Sequence, residues 1–393
     1  MVKGRLCNQR PFHEEACAYP IRVGNILNHL FVDQTADPFQ LHFSSQETTN
    51  HIKVSNLARR GMPLPALLPS LYHILKMVNP PPTAIFVDFT VNDEQVAVET
   101  LKQSVEAMVR FMRRTFPSPE LYFIQSYCSP HARANFNGEL GVLRYYDIPV
   151  ISYSSSMNGS SHCSSKMVWG YDSLSSPPPP TNAHPPWFIH QNIAYVIVQG
   201  LVTRFLDLEC GNDHKKREIE INQSLPSPIY PSSSLHKVCS PLTYYDANEI
   251  FISGNTSGIH IYGKDEMVKD GRWELREDRK DKAGWISSLK NSIIEFDVIF
   301  GSSNPRLIVG YLKSYEKMGK VTVSFPSLSG NGKDVELDGL DEMTHSSQIF
   351  PFDITPKNTN KIGRIVPAFN TKTKVRFKTT NNEKFKLSYV ISC

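Results

Sequence analysis

Apolar residues in the first half of the chain follow two rhythms. Short unbroken runs, AIFVDF (84–89), LYFIQSY (121–127) and IPVISY (148–153), are rich in Ile, Val, Phe and Tyr and predict buried strands. IKVSNL (52–57) predicts a weaker strand. Between the runs, apolar residues recur at helical spacing. Val98, Leu101, Val105, Met108 and Met112 mark one stripe within 94–114. Ile193, Val196/Ile197 and Gly200/Leu201 mark a second within 186–206, and Val23, Ile26/Leu27 and Leu30/Phe31 a third within 20–31. Strands alternating with helices predict βαβ units, hence an α/β domain with a doubly wound parallel sheet and helices on both faces.

The pattern then changes twice. Residues 154–183 are rich in Ser and end in Pro177 to Pro180, which predicts a long loop with a stiff polyproline end. A second polar stretch, 209–238, predicts a linker. Beyond it the period is 2: EIFISG (249–254), GIHIYG (258–263), IIEFDVIF (293–300), RLIVGYL (306–312), KVTVSF (320–325), KVRFK (374–378) and FKLSYVI (385–391) predict strands. Many short strands with Gly, Asn and Pro turns predict an all-β sandwich. The expected domains are therefore 1–208 (α/β) and 239–393 (β-sandwich), joined by 209–238.

Composition narrows the function classes. With 393 residues, 40% hydrophobic and 20% charged, the chain has the make-up of an ordinary globular protein. Its net charge of +4 gives no electrostatic case for nucleic acid. The seven cysteines form no C-x-x-C pair, and His13-Glu14-Glu15 lacks H-E-x-x-H spacing, so no metal site or cofactor is expected. Residues 1–20 contain no signal-peptide core, and the apolar stretch 187–206 is broken by polar residues, so no transmembrane segment is expected. Oligomeric state and compartment stay open.

Three short motifs stand at junctions where a strand or loop gives way to a helix: NLARRGMP (56–63), FVDFTVNDEQ (86–95) and HPPWFIHQNIA (184–194). Ligands of open parallel sheets bind at such carboxyl ends. In this order the motifs resemble the blocks of the SGNH (GDSL-like) hydrolases over roughly residues 19–208. The resemblance implies a flavodoxin-like sheet and serine-ester chemistry. It makes Gly61 and Asn92 oxyanion-hole donors and His184 the catalytic base. It implies a small-molecule or glycan ester as substrate, and a secretory setting for the family. Thr181 stands where the family has an Asp, three residues before His184, and is the candidate partner of the imidazole. His190 is expected to pack or cap within its helix.

The block that should carry the nucleophile has no counterpart: no serine precedes Ser44 and residues 1–18 hold no strand-like run. The first strand of the family fold, central in its sheet, is therefore expected to be missing, and the chain to be truncated and inactive. The rival reading is a non-catalytic carbohydrate-binding or structural protein on the same scaffold. Residues 271–288 and 309–319 resemble the β-domain that follows SGNH domains in some algae and other eukaryotic microbes. There Trp273 and Trp285 bracket Glu277, Asp278 and Arg279 and are candidate glycan contacts, or else core residues.

Overall fold

The computed structural model describes residues 18–31, 52–58, 61–76, 78–116, 119–127, 130–158, 187–210, 225–231, 238, 240–262, 272–279, 282–301, 305–315, 317–326, 334–342, 348–354 and 370–393. In chain order the described helices are α1 (Tyr19–Phe31), α2 (Leu64–Leu67), α3 (Leu71–Lys76), α4 (Val98–Thr115), α5 (Pro130–Tyr145), α6 (Tyr153–Asn158), α7 (Trp187–Cys210) and α8 (Ala247–Ser253). The chain divides into two compact units: residues 1–60 with 77–235, and residues 61–76 with 236–393.

Among the described residues the first unit is built on three parallel strands in the order β1 (Ala84–Val87), β2 (Glu120–Gln125), β3 (Val150–Ser152). Ala84 pairs with Glu120, and Phe123 with Val150. Side chains alternate along β2, so its two faces meet different partners. Tyr122 and Ile124 join a core cluster with Val23 and Ile26 of α1 and Ile189, Ile193 and Ile197 of α7. Leu121 and Phe123 are buried on the opposite face. The crossovers through α4 and α5 step the same way across the sheet, and the right-handed rule puts both helices on one side. The predicted α4 stripe is buried at Leu101, Val105, Met108 and Met112, each contributing about 1.5–3 kcal/mol.

Two expectations for this unit change. Residues 52–58 form no strand. They pair instead with α1: Asn28 Nδ2 donates to the Ile52 carbonyl at 3.0 Å and Asn28 Oδ1 accepts from Ile52 N at 2.7 Å. A side-chain amide thus supplies both bonds that a neighbouring strand would have made there. Residues 225–231, within the expected linker, are also fastened down. The buried Glu106 carboxylate accepts from Ile229 N at 2.7 Å and Tyr230 N at 2.9 Å, and Arg110 donates to the Pro226 carbonyl at 2.6 Å. Residues 159–186, most of the expected long loop, lie outside the described residues.

The second unit is a sandwich of two antiparallel sheets. Its strands are β4 (Thr243–Asp246), β5 (Ile259–Tyr262), β6 (Glu274–Glu277), β7 (Ala283–Ser287), β8 (Ile293–Ile299), β9 (Leu307–Lys313), β10 (Lys320–Ser324), β11 (Val335–Asp338), β12 (Gln348–Ile354), β13 (Lys372–Thr379) and β14 (Phe385–Ser392). One sheet runs β11-β10-β13-β8-β5; the other runs β12-β9-β14-β7-β6, with β4 also on β14. Trp285, Phe296, Phe377, Phe385 and Leu387 fill the space between them. Cys393, the last residue, is disulfide-bonded.

EIFISG, expected as a strand, is the helix α8. Asp246 caps its amino end by accepting from Asn248 N at 2.9 Å and Glu249 N at 3.2 Å. Gly254, at φ +71°, closes its other end in the left-handed conformation that glycine tolerates. Residues 61–76, expected in the first domain, pack in this unit instead. Met62 and Ala66 are buried with Ile308, Tyr389 and Ile391, and the Tyr389 hydroxyl donates to the Ala66 carbonyl at 2.8 Å. A bulge between Leu387 and Tyr389 makes this possible. Without the extra residue both would face the same way; with it, Leu387 enters the sandwich core and Tyr389 the outer cluster.

Candidate active site

The carboxyl ends of β1, β2 and β3 gather hydroxyls, amides and the Asp88 carboxylate. β1 runs out into Asp88, whose Oδ2 accepts from the Tyr19 hydroxyl at 2.8 Å and whose Oδ1 accepts from the Thr90 hydroxyl at 2.9 Å. Tyr19 opens α1, so this bond ties the first helix to the sheet end. Burial, reinforced by the Asp88 charge and hydrogen bond, pushes the Tyr19 phenol well above its ordinary pKa. It therefore stays protonated and acts as a donor. The Thr90 and Ser126 hydroxyls lie 3.4 Å apart, linking the ends of β1 and β2. At the end of β3 the Ser152 hydroxyl donates to Gln125 Oε1 at 2.5 Å and accepts from Ser155 N at 3.1 Å.

Asn92 follows from this frame. It is buried and precedes the short 3₁₀ turn Asp93–Gln95, yet its side chain makes no capping bond there. Asn92 N and Asp93 N both donate to the Phe89 carbonyl at 2.9 Å, which closes the turn after β1. On the far side Asn135 of α5 donates to the carbonyls of Asp93 at 2.8 Å and Val96 at 3.1 Å. The loop carrying Asn92 is thus held from α1, through Tyr19 and Asp88, and from α5, through Asn135. Such fixed placement is what a polar group needs to stabilise charge without reorganising.

The other expected site residues fall in different places. His184 and Thr181 lie outside the described residues. Gly61 belongs to the second unit; its φ of +66° suits glycine and its carbonyl accepts from Ile349 N at 3.0 Å. His190 is buried in α7 with its ring stacked on Tyr19 at 6.2 Å, in keeping with a packing role. Trp273 and Trp285 are each 1% exposed. Both fill the sandwich core, Trp285 edge-on to Phe296 and Trp273 donating Nε1–H to the Ser292 carbonyl at 3.1 Å. Neither has a face open to a sugar, which overturns their reading as glycan contacts. Among the described residues no group of three His, Cys, Asp or Glu is placed to hold a metal ion, and no helix is long and apolar enough to cross a membrane.

Tyr19, Asp88 and Asn135 were not singled out from the sequence. Asp88 had a visible signal, an acid ending the apolar run AIFV four residues before Asn92. Tyr19 and Asn135 had none, because their partners are 69 and 42 residues away.

No protein-family model and no curated protein matches the chain. Among solved structures, it is similar to a two-domain esterase (CEX) active on acetylated mannans. That likeness covers 96% of this chain and 85% of that one, at 19% identity and a TM-score of 0.52. The structure of such an esterase with mannopentaose aligns over 84% and 77%, at 18% identity and a TM-score of 0.47. A family 35 carbohydrate-binding module from Paenibacillus barcinonensis aligns over 38% of this chain and 98% of that one, at 12% identity and a TM-score of 0.23. The first shows the fold: an esterase-like α/β part together with a C-terminal β-sandwich.

Proposed function

We propose that the protein is an ester hydrolase-like protein of SGNH type whose ligands are O-acylated glycans. The observation that carries this reading is the buried Asn92, held at the carboxyl end of the parallel sheet by the Asp88 and Asn135 contacts. The likeness in fold to an esterase active on acetylated mannans supports it.

The chemistry follows from what acyl transfer requires. A nucleophile attacks the ester carbonyl, and negative charge collects on its oxygen. The Asn92 amide would donate to that oxygen; losing one such donor costs about 3–4 kcal/mol in the transition state. His184 would take the proton of the nucleophile and return it to the leaving alcohol, with the Thr181 hydroxyl orienting the ring. Residues 1–43 carry no serine. The chain 1–393 is therefore expected to hold the acyl group without cleaving it.

Calorimetric titration tests the reading. Acetylated manno-oligosaccharides should bind roughly fivefold more tightly than the same oligosaccharides after deacetylation, as one hydrogen bond to the acyl oxygen would provide. Asn92→Ala should abolish that preference. Turnover of p-nitrophenyl acetate should stay at background. Equal affinity for both oligosaccharides sinks the reading, and turnover abolished by His184→Ala would show that another nucleophile serves.

A further inference from the structure

The outer face of the five-stranded sheet carries four cations in a row on one strand. On β13, Thr373, Val375, Phe377 and Thr379 are buried, so the alternating Lys372, Lys374, Arg376 and Lys378 share the outer face. The row spans about 20 Å. β13 is the middle strand of its sheet. Lysines that guard a sheet against aggregation belong on edge strands, so edge protection does not account for them.

The acidic partners sit beneath the cations. The Glu295 side chain is 2% exposed and accepts from Arg376 Nε at 2.8 Å, Lys374 Nζ at 3.2 Å and the Tyr262 hydroxyl at 2.8 Å. Asp297 lies 3.4 Å from Lys372 Nζ and 3.2 Å from His260 Nε2. The cations above are far more open, with Lys372 at 68% and Lys374 at 42%. Lys378 is exposed and makes no ion pair among the described residues. Over β8 and β13 an approaching ligand therefore meets the cationic ends, with Glu295 and Asp297 screened below them. On the other flank β10 sets Thr322 beside Lys378 and Ser324 beside Arg376, and Lys320 on the same face is held by Glu336 and Asp338 of β11. The half-exposed Tyr262 ring stands at the β5 side.

We propose that this face binds an acidic polysaccharide, a chain of sugar rings bearing carboxylate or sulfate groups, laid along β13 with its anions on Lys372, Lys374, Arg376 and Lys378. The row is one strand wide, and the chain's net charge is only +4. A nucleic-acid interface needs a broader basic surface and, for single strands, a series of stacking aromatics. The proposal goes beyond the ester-binding reading and does not rest on it.

The test is calorimetric titration of the intact chain with polygalacturonate, dextran sulfate, neutral galactomannan and a mixed-sequence single-stranded DNA. One of the two acidic polysaccharides should bind roughly tenfold more tightly than galactomannan and DNA, and that affinity should fall about tenfold as salt rises from about 50 to about 300 mM. Which of the two binds identifies the anion. The double variant Lys372→Gln/Lys378→Gln should weaken binding roughly tenfold, since two of four cations are lost. Lys378→Glu, which touches no buried carboxylate, should weaken it without altering the melting temperature. Equal binding of galactomannan, equal binding of DNA, or full affinity in both variants overturns the proposal.

Discussion

At Asp278 two lysines keep charged a carboxylate that burial alone would push toward neutrality. Lys386 Nζ donates to it at 2.5 Å and Lys384 Nζ at 2.7 Å. Burial raises the carboxyl, but the two lysines outweigh it and hold it at about 2. Its value in the unfolded chain is about 3.9. A carboxyl depressed on folding stabilises fully above its unfolded value and loses that stabilisation as pH falls through its folded value. Asp278→Asn should therefore lower the urea midpoint at about pH 6 and flatten the loss of stability between about pH 4 and about pH 2. Parallel midpoint–pH curves for variant and wild type would show that the bonds contribute nothing. The charged turn between Trp273 and Trp285 was legible in the sequence; its partners were not, being 106 and 108 residues away.

Among the elements, α8 shows where periodicity misleads. E-I-F-I-S alternates as a strand would, yet a cap at Asp246 and a left-handed glycine at Gly254 frame a seven-residue helix. Local hydrogen bonds decide here because the segment buries little: Ala247 and Ile250 face inward while Ile252 is 85% exposed. Asp246→Ala should cost about 1–2 kcal/mol, the usual worth of such a cap, and Asp246→Asn should recover most of it. Urea denaturation of the three chains measures this, and equal midpoints for Ala and Asn would remove the cap from the account. Longer elements resisted such misreading. The stripe of α4 and the runs of β1, β2 and β3 appear where the pattern placed them; α4 and β2 bury an apolar face along most of their length, whereas β1 is buried only at Val87.

For the molecule as a whole, the second unit includes residues far from it in sequence. Residues 61–76 cover Ile308, Tyr389 and Ile391 and give the buried Tyr389 hydroxyl its acceptor. Cutting them away would expose that apolar cluster to water and replace the hydroxyl's protein acceptor by solvent. Residues 236–393 expressed alone should aggregate on size-exclusion chromatography, whereas the same span with 61–76 joined through a flexible linker should elute as a monomer. A monomeric, cooperatively melting 236–393 would refute this. The sequence expectation of two domains divided at a linker missed the excursion, because the short segment of α2 and α3 carries no sign of which core it joins.

The sequence by itself determined the α/β and β classes, the order of their principal strands, and the turn that bears Asn92. Hydrophobic period is a local property, and it survives wherever an element is long enough to need one buried face. Tertiary structure decided the rest. It chose the partners of Asp88, Asn92's loop and Asp278, it turned Tyr389 outward through a bulge, and it enclosed Trp273 and Trp285. Each of those outcomes depends on which distant surface a side chain meets, and sequence pattern carries no information about that until the chain has folded.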